Sequence, residues 1–510
     1  MSSQTYRSTR ATGEQAFSFE ETVLKGLASD GGLFVPSAIP QVDASTIEKW
    51  STLSFQELAF EIMRLYIKES EIPDEDLKKL VHNSYSTFRH EEITPLNPID
   101  EANGLYLLEL FHGPTYAFKD VALQFVGNLF EYFLQRKNAG KTGADRDVLT
   151  VVGATSGDTG SAAIYGLRGK KDVSVFILYP TGRISPIQEA QMTSVLDSNV
   201  HTLSVKGTFD DCQDIVKQIF GDVEFNKSHH VGAVNSINWA RILAQQTYYF
   251  YSYFQLAKKV GSDKKIRFVV PSGNFGDILA GYYAKEMGLP ADRLIIATNE
   301  NDILDRFLKS SKYEKGGDVK ATLSPAMDIL ISSNFERLLW YLVRNNVTKS
   351  DEKAGETINN WFAELKQTGS FTVPQEVIAA ARKDFDSERV DNQETIKAIK
   401  DLYTSNTTKY VLDPHSAVGV TASYRHIAQD KADNVAGVNY ISLSTAHPAK
   451  FADAVNQALS SIEGYSFDKE VLPEELRQLS SKELKIKLIE KADVELVKSA
   501  IIEELQKEGK

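Results

Sequence analysis

The spacing of apolar positions changes character near residue 105. Before that point the apolar residues recur at helical intervals. FSFEETVLKGL predicts a short helix that DGG and PSAIP terminate, and residues 54–88 predict helices broken at Pro73. From Leu105 onward, short runs rich in Val and Ile alternate with helical stretches: VLTVVG, VSVFILYP, HTLSVKG, IRFVVPSG, RLIIATN and NYISLS. Runs of this length bounded by Gly, Pro and helices predict buried strands of a mainly parallel sheet, hence an α/β fold. EVIAAARKDFDSERV and NQETIKAIKDLYTS read as charged helices, and the tail from Ser466 reads as solvated helix appended to the core. The expected organisation is a mostly helical segment over 1–92, an α/β core over 93–340 with 405–465, a helical insertion over 341–404 and a helical extension over 466–510.

Composition narrows the function classes. At 510 residues, 42% hydrophobic and 25% charged, the chain has ordinary globular composition, long enough for several domains. No apolar run approaches the ~20 residues that span a bilayer. A net charge of -12 without a long basic segment argues against a nucleic-acid partner, whereas a local pocket of N–H groups and a few cations still suits a phosphorylated small molecule. The single cysteine, Cys212, cannot form an intrachain disulfide, and MSSQTYRSTRATGEQ has no apolar signal core. A cytoplasmic location is the expectation; oligomeric state stays open.

Ligands of α/β sheets bind beyond the carboxyl ends of strands. In VVGATSGDTGSAA, the residues Thr155, Ser156, Gly157, Asp158 and Thr159 lie between a strand and a helix, where backbone donors suit a carboxylate or phosphate. A helix cap explains the same residues. In VVPSGNFGD, the residues Ser272, Gly273, Asn274, Phe275, Gly276 and Asp277 form a second such turn; glycine lets backbone approach an anion. It is neither a P-loop nor a complete G-x-G-x-x-G. In LELFHGPTYAFKDVALQF, Lys119 follows Phe118 in apolar company, where desolvation frees an amine to act as nucleophile or base. A surface lysine paired with Asp120 fits the same letters. NSINWARILAQQ offers Asn235, Ser236, Asn238 and Arg241 as a further anion site, with a cap and a structural salt bridge as the plain alternative; Lys206 and Arg183 are weaker candidates, and His112 and His447 are possible donors. No metal-ligand spacing is present, His229 and His230 being adjacent without further partners.

HGPTYAFKD, together with YRSTR, LASDGGLFVP, ATSGDTGSAA, PSGNFGD, LDPHSAVG and STAHPAKF, resembles the threonine synthase family over residues 6–460, in its longer, fungal-like form. The resemblance implies a fold-type-II pyridoxal-phosphate enzyme, with the two-lobed parallel-sheet core of the tryptophan synthase β type. It implies pyridoxal 5'-phosphate as cofactor and O-phospho-L-homoserine as substrate, converted with water to L-threonine and phosphate. Lys119 would carry the cofactor as a Schiff base. Gly273 to Asp277, with Ser272 and Phe118, would hold it, Thr445 would meet the pyridine nitrogen, and Ser156 to Thr159 would lie by the substrate carboxylate. A phospho-lyase releasing 2-oxobutyrate, and a non-catalytic relative, are the competing expectations.

Overall fold

The computed structural model of the protein describes residues 4–405 and 409–510. Each of the apolar runs becomes a strand, and they divide between two sheets. The larger has six strands in the spatial order Phe385–Arg389, Arg293–Thr298, Lys265–Pro271, Val438–Ser444, Leu105–Glu109 and Leu96–Asp100. All neighbours are parallel except the last pair, which is antiparallel. The smaller sheet has five parallel strands in the order Lys487–Ile489, Val200–Val205, Val173–Pro180, Leu149–Ala154 and Val231–Gly232. Strands covered on both faces need no polar alternation, and Val173–Pro180 is buried at every position.

Helix ends follow local chemistry. Ser54 caps the Phe55–Tyr66 helix and exchanges hydrogen bonds with Glu57, while Pro73 stands just before the Asp74–Tyr85 helix. The N-terminal segment also contributes an antiparallel strand pair, Tyr6–Ser8 with Phe34–Pro36. Tyr6 packs on Trp239 and donates its hydroxyl to the Tyr66 carbonyl at 2.8 Å, joining this segment to the central helix Trp239–Val260.

Two helical expectations need correction. EVIAAARKDFDSERV is a helix only to Asp384; Phe385–Arg389 is an edge strand of the large sheet. Phe385 and Ser387 are buried with Asp386 between them, a period of two that hydrogen bonding to Arg293–Thr298 makes use of. The tail is likewise no simple appendage. Lys487–Ile489 extends the small sheet, and Val497, Ile501 and Leu505 of the Val494–Glu508 helix share a core with Cys212, Ile215 and Ile219. Among the described residues no helix is long and apolar enough to cross a membrane.

Candidate active site

The carboxyl ends of strands from both sheets bring the predicted segments together. Lys119 is the first residue of the Lys119–Lys137 helix, which follows the large-sheet strand Leu105–Glu109. Thr159 lies in the first turn of the Asp158–Leu167 helix, which follows the small-sheet strand Leu149–Ala154. The Lys119 ammonium donates to the Thr159 hydroxyl at 2.7 Å, so the two lobes meet at this amine. The two helices cross in close contact, because Gly127 and Gly166 leave no side chain between them.

Lys119 is not paired with Asp120. The Asp120 carboxylate is buried and accepts from the Thr115 backbone N–H at 2.8 Å and the Thr115 hydroxyl at 2.7 Å. Burial pushes that carboxyl up to about 6, against the pull of these bonds. For Lys119 burial acts in the opposite direction: with Arg241 and Lys450 nearby, it holds the amine down at about 8 against the attraction of Asp158.

The loop after Lys265–Pro271 is shaped for a close approach. Phe275 has a φ of 67°, an uncommon conformation for a non-glycine residue, and its ring is locked against Phe335 and Phe385. A Cβ on Gly273 would come within 2.8 Å of the Met327 Cα. The N–H groups of Gly273, Asn274, Phe275 and Gly276 donate to no protein acceptor among the described residues. The loop is held from behind, Asn334 donating its N–H to the Asn274 carbonyl at 2.9 Å and Ser332 its hydroxyl to the Gly273 carbonyl at 2.7 Å.

Asp277 and Ser272 point elsewhere. The Asp277 carboxylate accepts from Tyr248 at 2.5 Å and Tyr249 at 2.9 Å inside the core, where burial raises it to about 6. The Ser272 hydroxyl donates to the Val270 carbonyl at 2.8 Å. Thr445 lies against the lysine turn, its carbonyl accepting from the Phe118 N–H at 2.8 Å.

In the Thr155–Thr159 loop, the Thr155 hydroxyl accepts from the N–H groups of Gly157 and Gly160 at 2.9 and 2.8 Å, so this side chain shapes the turn itself. Ser156 is exposed. Gly157 has a φ of 144° and lies against Gln188, where a Cβ would come within 2.4 Å of the amide. Asp158 is buried, and although burial alone would raise it, Lys450 and Lys119 hold its carboxyl down at about 2.

The Asn235–Arg241 segment divides. Asn238 is a buried cap, accepting from the Ala240 N–H at 3.0 Å and donating to the Val23 carbonyl at 2.9 Å. Asn235 is exposed, and the Ser236 hydroxyl lies 3.3 Å from that of Ser333. Arg241 forms no salt bridge with a carboxylate among the described residues. Its Nη1 donates to the Val234 carbonyl at 3.3 Å, its Nε is buried and unpartnered, and burial lowers the guanidinium to about 10. A buried cation without a counter-ion is a site for an incoming anion.

The remaining candidates fall away from this arrangement. Lys206 is exposed and tied to Glu490, and Arg183 is exposed. His112 contacts Glu109 at 3.0 Å, and burial lowers His447 to about 4, its Nδ1 accepting from the Ala449 N–H. Sequence reasoning passed over Lys450, Gln188 and the Asp413–His415 pair. Lys450 is 1% exposed, yet it belongs to STAHPAKF, just beyond the carboxyl end of a strand, which is the signal that could have found it. No cluster of His, Cys, Asp or Glu fit to hold a metal occurs among the described residues.

Family models described as "Threonine synthase N terminus", "Pyridoxal-phosphate dependent enzyme" and "Threonine synthase, C-terminal" match residues 5–85, 87–438 and 416–501. The chain belongs to the threonine synthase family. Within that family it is 68% identical to the threonine synthase of Saccharomyces cerevisiae, over 99% of both chains. The crystal structure of threonine synthase from yeast superposes with a TM-score of 0.95 at 68% identity, covering 99% of each chain. The pyridoxal-phosphate-bound threonine synthase of Brucella melitensis superposes with a TM-score of 0.86 at 41% identity, covering 98% of this chain and 99% of that one. Membership makes this a pyridoxal-phosphate-dependent lyase acting on a small molecule. The free N–H groups at 273–276 and the depressed Lys119 amine suit an aldehyde-bearing dianionic phosphate.

Proposed function

We propose that the chain converts O-phospho-L-homoserine and water to L-threonine and inorganic phosphate, in the cytoplasm. The observation that carries the reading is Lys119: a primary amine held at about 8, bonded to a hydroxyl and not to a carboxylate, where both lobes meet. Bound there, pyridoxal phosphate would supply an electron sink that acidifies the proton on the amino-bearing carbon and those on the carbon next to it. The N–H groups of Gly273 to Gly276 would hold the cofactor phosphate, and Thr445, beside the lysine turn, would meet the pyridine nitrogen. The substrate carboxylate would lie by Ser156 to Thr159 at the start of a helix, where the backbone N–H groups of Ser156, Asp158 and Thr159 are available, that of Gly157 being held by the Thr155 hydroxyl.

Lys119, held beside the reacting carbons, removes one proton from Cα and one from Cβ and returns one each to Cγ and Cα. The Cγ–O bond breaks and phosphate leaves with its electron pair, and water gives its hydroxyl to Cβ and its remaining proton to the released phosphate. A tethered amine suits several such steps because its effective concentration is very high. Arg241 binds the phosphate of the substrate; its buried, unpaired charge supports that role. Cys212, a buried free thiol, suits a reducing compartment.

The test is product analysis. Purified protein supplied with cofactor and O-phospho-L-homoserine is expected to release L-threonine and phosphate in equal amounts. Borohydride should fix the cofactor to the peptide containing Lys119, and Lys119→Ala should abolish both results. Release of 2-oxobutyrate with little threonine would overturn the reading in favour of a phospho-lyase.

A further inference from the structure

Lys450 belongs to the short helical turn Pro448–Lys450, which follows the large-sheet strand Val438–Ser444. Its side chain is wholly enclosed, and among the described residues it makes two polar contacts: the Asp158 carboxylate at 2.6 Å and the Thr115 carbonyl at 2.9 Å. The same Asp158 oxygen accepts from the Gln188 amide at 3.1 Å, and the same Thr115 carbonyl accepts from the Gln191 amide at 3.0 Å. Asp158 directly precedes Thr159, whose hydroxyl takes the Lys119 hydrogen bond. One carboxylate thus stands between two lysines, and only one of them has it.

We propose that Lys450 is a positioning residue for the reactive amine: it claims the Asp158 carboxylate, leaving Lys119 on a neutral hydroxyl and available as a free base. Lys119 in direct contact with Asp158 would be an ion pair, and a buried ion pair keeps its proton. The arrangement rests on the assignment of Lys119 as the amine that carries the cofactor. It also gives Asp158 a purpose other than touching substrate. Its charge is neutralised by Lys450, while its backbone N–H stays in the loop that faces the site. The charged groups around the pair support the partition. Asp158 faces Lys450, Lys119 and His415. Lys119 faces Asp158, Arg241 and Lys450, and Asp120 on its own helix is engaged by Thr115. His415 is itself held by Asp413 at 2.7 Å, so it does not compete for Asp158.

The test titrates Lys119 directly in the full-length protein freed of cofactor with hydroxylamine. Competitive acetylation with trace acetic anhydride across pH, read at the Lys119 peptide by mass spectrometry, gives the titration of that amine. Lys450→Gln is expected to move it up by about one unit or more, because Asp158 is released to Lys119 and a neighbouring positive charge is removed. Asp158→Asn should move it down, and Lys450→Gln combined with Asp158→Asn should return it close to wild type. An unmoved titration in Lys450→Gln overturns the proposal, as does an upward shift of the same size when Asp158 is already Asn. If Lys450→Gln fails to fold, Lys450→Met with Asp158→Asn, which removes both buried charges, carries the test: a titration displaced upward by a unit or more in that pair overturns the proposal. Because no cofactor or substrate is present, these outcomes are independent of whether O-phospho-L-homoserine is turned over.

Discussion

Adding one methyl group at Gly127 tests whether the crossing of two helices sets the active-site distance. A Cβ at Gly127 would stand 1.9 Å from the Gly166 carbonyl oxygen and 2.7 Å from its carbon, with backbone on both sides and no flexible side chain to give way. Ordinary contact begins near 3.4 Å, so the Lys119–Lys137 and Asp158–Leu167 helices would have to separate by about 1.5 Å. The amine and hydroxyl that meet at 2.7 Å stand at the starts of these helices, and a rigid displacement of that size puts them beyond hydrogen-bond reach. Overpacking of this kind costs about 3 kcal/mol, of which the better helix propensity of alanine offsets ~1 kcal/mol. Gly127→Ala is therefore expected to lose about 2 kcal/mol of stability. A misplacement near 1 Å at reacting groups is expected to lower kcat/KM by about 100-fold. Thermal melting and steady-state production of threonine measure the two effects. Gly221→Ala, at a helix end with nothing within 4 Å, serves as the neutral control. A Gly127→Ala protein that melts early yet turns over normally per folded molecule would refute the link between helix packing and site geometry; wild-type melting would refute the packing argument itself.

Asp277→Asn is expected to raise the melting temperature at pH 8 more than at pH 5, without weakening cofactor binding. In the fold the carboxyl is raised to about 6, above its unfolded value of roughly 3.9, so the folded state binds the proton more tightly. The stability gained from that proton is complete below pH ~3.9 and is lost as pH rises through about 6, leaving a buried charge costing roughly 2–3 kcal/mol at pH 8. Equal shifts at both pH values, or a loss of cofactor affinity, would contradict the contacts with Tyr248 and Tyr249. Ile501→Ala should destabilise by about 2–4 kcal/mol in chemical denaturation, since Ile501 is fully buried with Val497, Ile215 and Ile219, whereas Leu496→Ala, 40% exposed, should be close to neutral. If the two variants unfold alike, the C-terminal helix is an appendage after all.

Sequence periodicity located the Val- and Ile-rich strands because each is a short apolar run between breakers, a pattern that needs no knowledge of neighbours. It missed Phe385–Arg389 and Lys487–Ile489 because both are short edge strands interrupted by charged residues, and only pairing with Arg293–Thr298 and Val200–Val205 defines them. The site divides in the same way. Strand ends and small residues mark the turns at 155–159 and 273–276 in the sequence, an apolar setting marks Lys119, and only the family resemblance marks Thr445. Asp277, Thr155 and Asn238 stand in the same motifs, yet their side chains are engaged by Tyr248 and Tyr249, by the loop's own N–H groups, and by Ala240 and Val23. Which way a side chain turns depends on groups distant in the chain, which local sequence does not contain.

The sequence alone therefore determined the α/β class, the order of the strands along the chain and the family motif around Lys119, since these depend on spacing and residue type over short stretches. Only the tertiary structure decided that Asp120 binds Thr115 and that Asp158 binds Lys450, which lies in a segment nearly 300 residues later. The charge state of a buried lysine follows from desolvation and from the charges within a few ångströms, and those are fixed by packing between lobes.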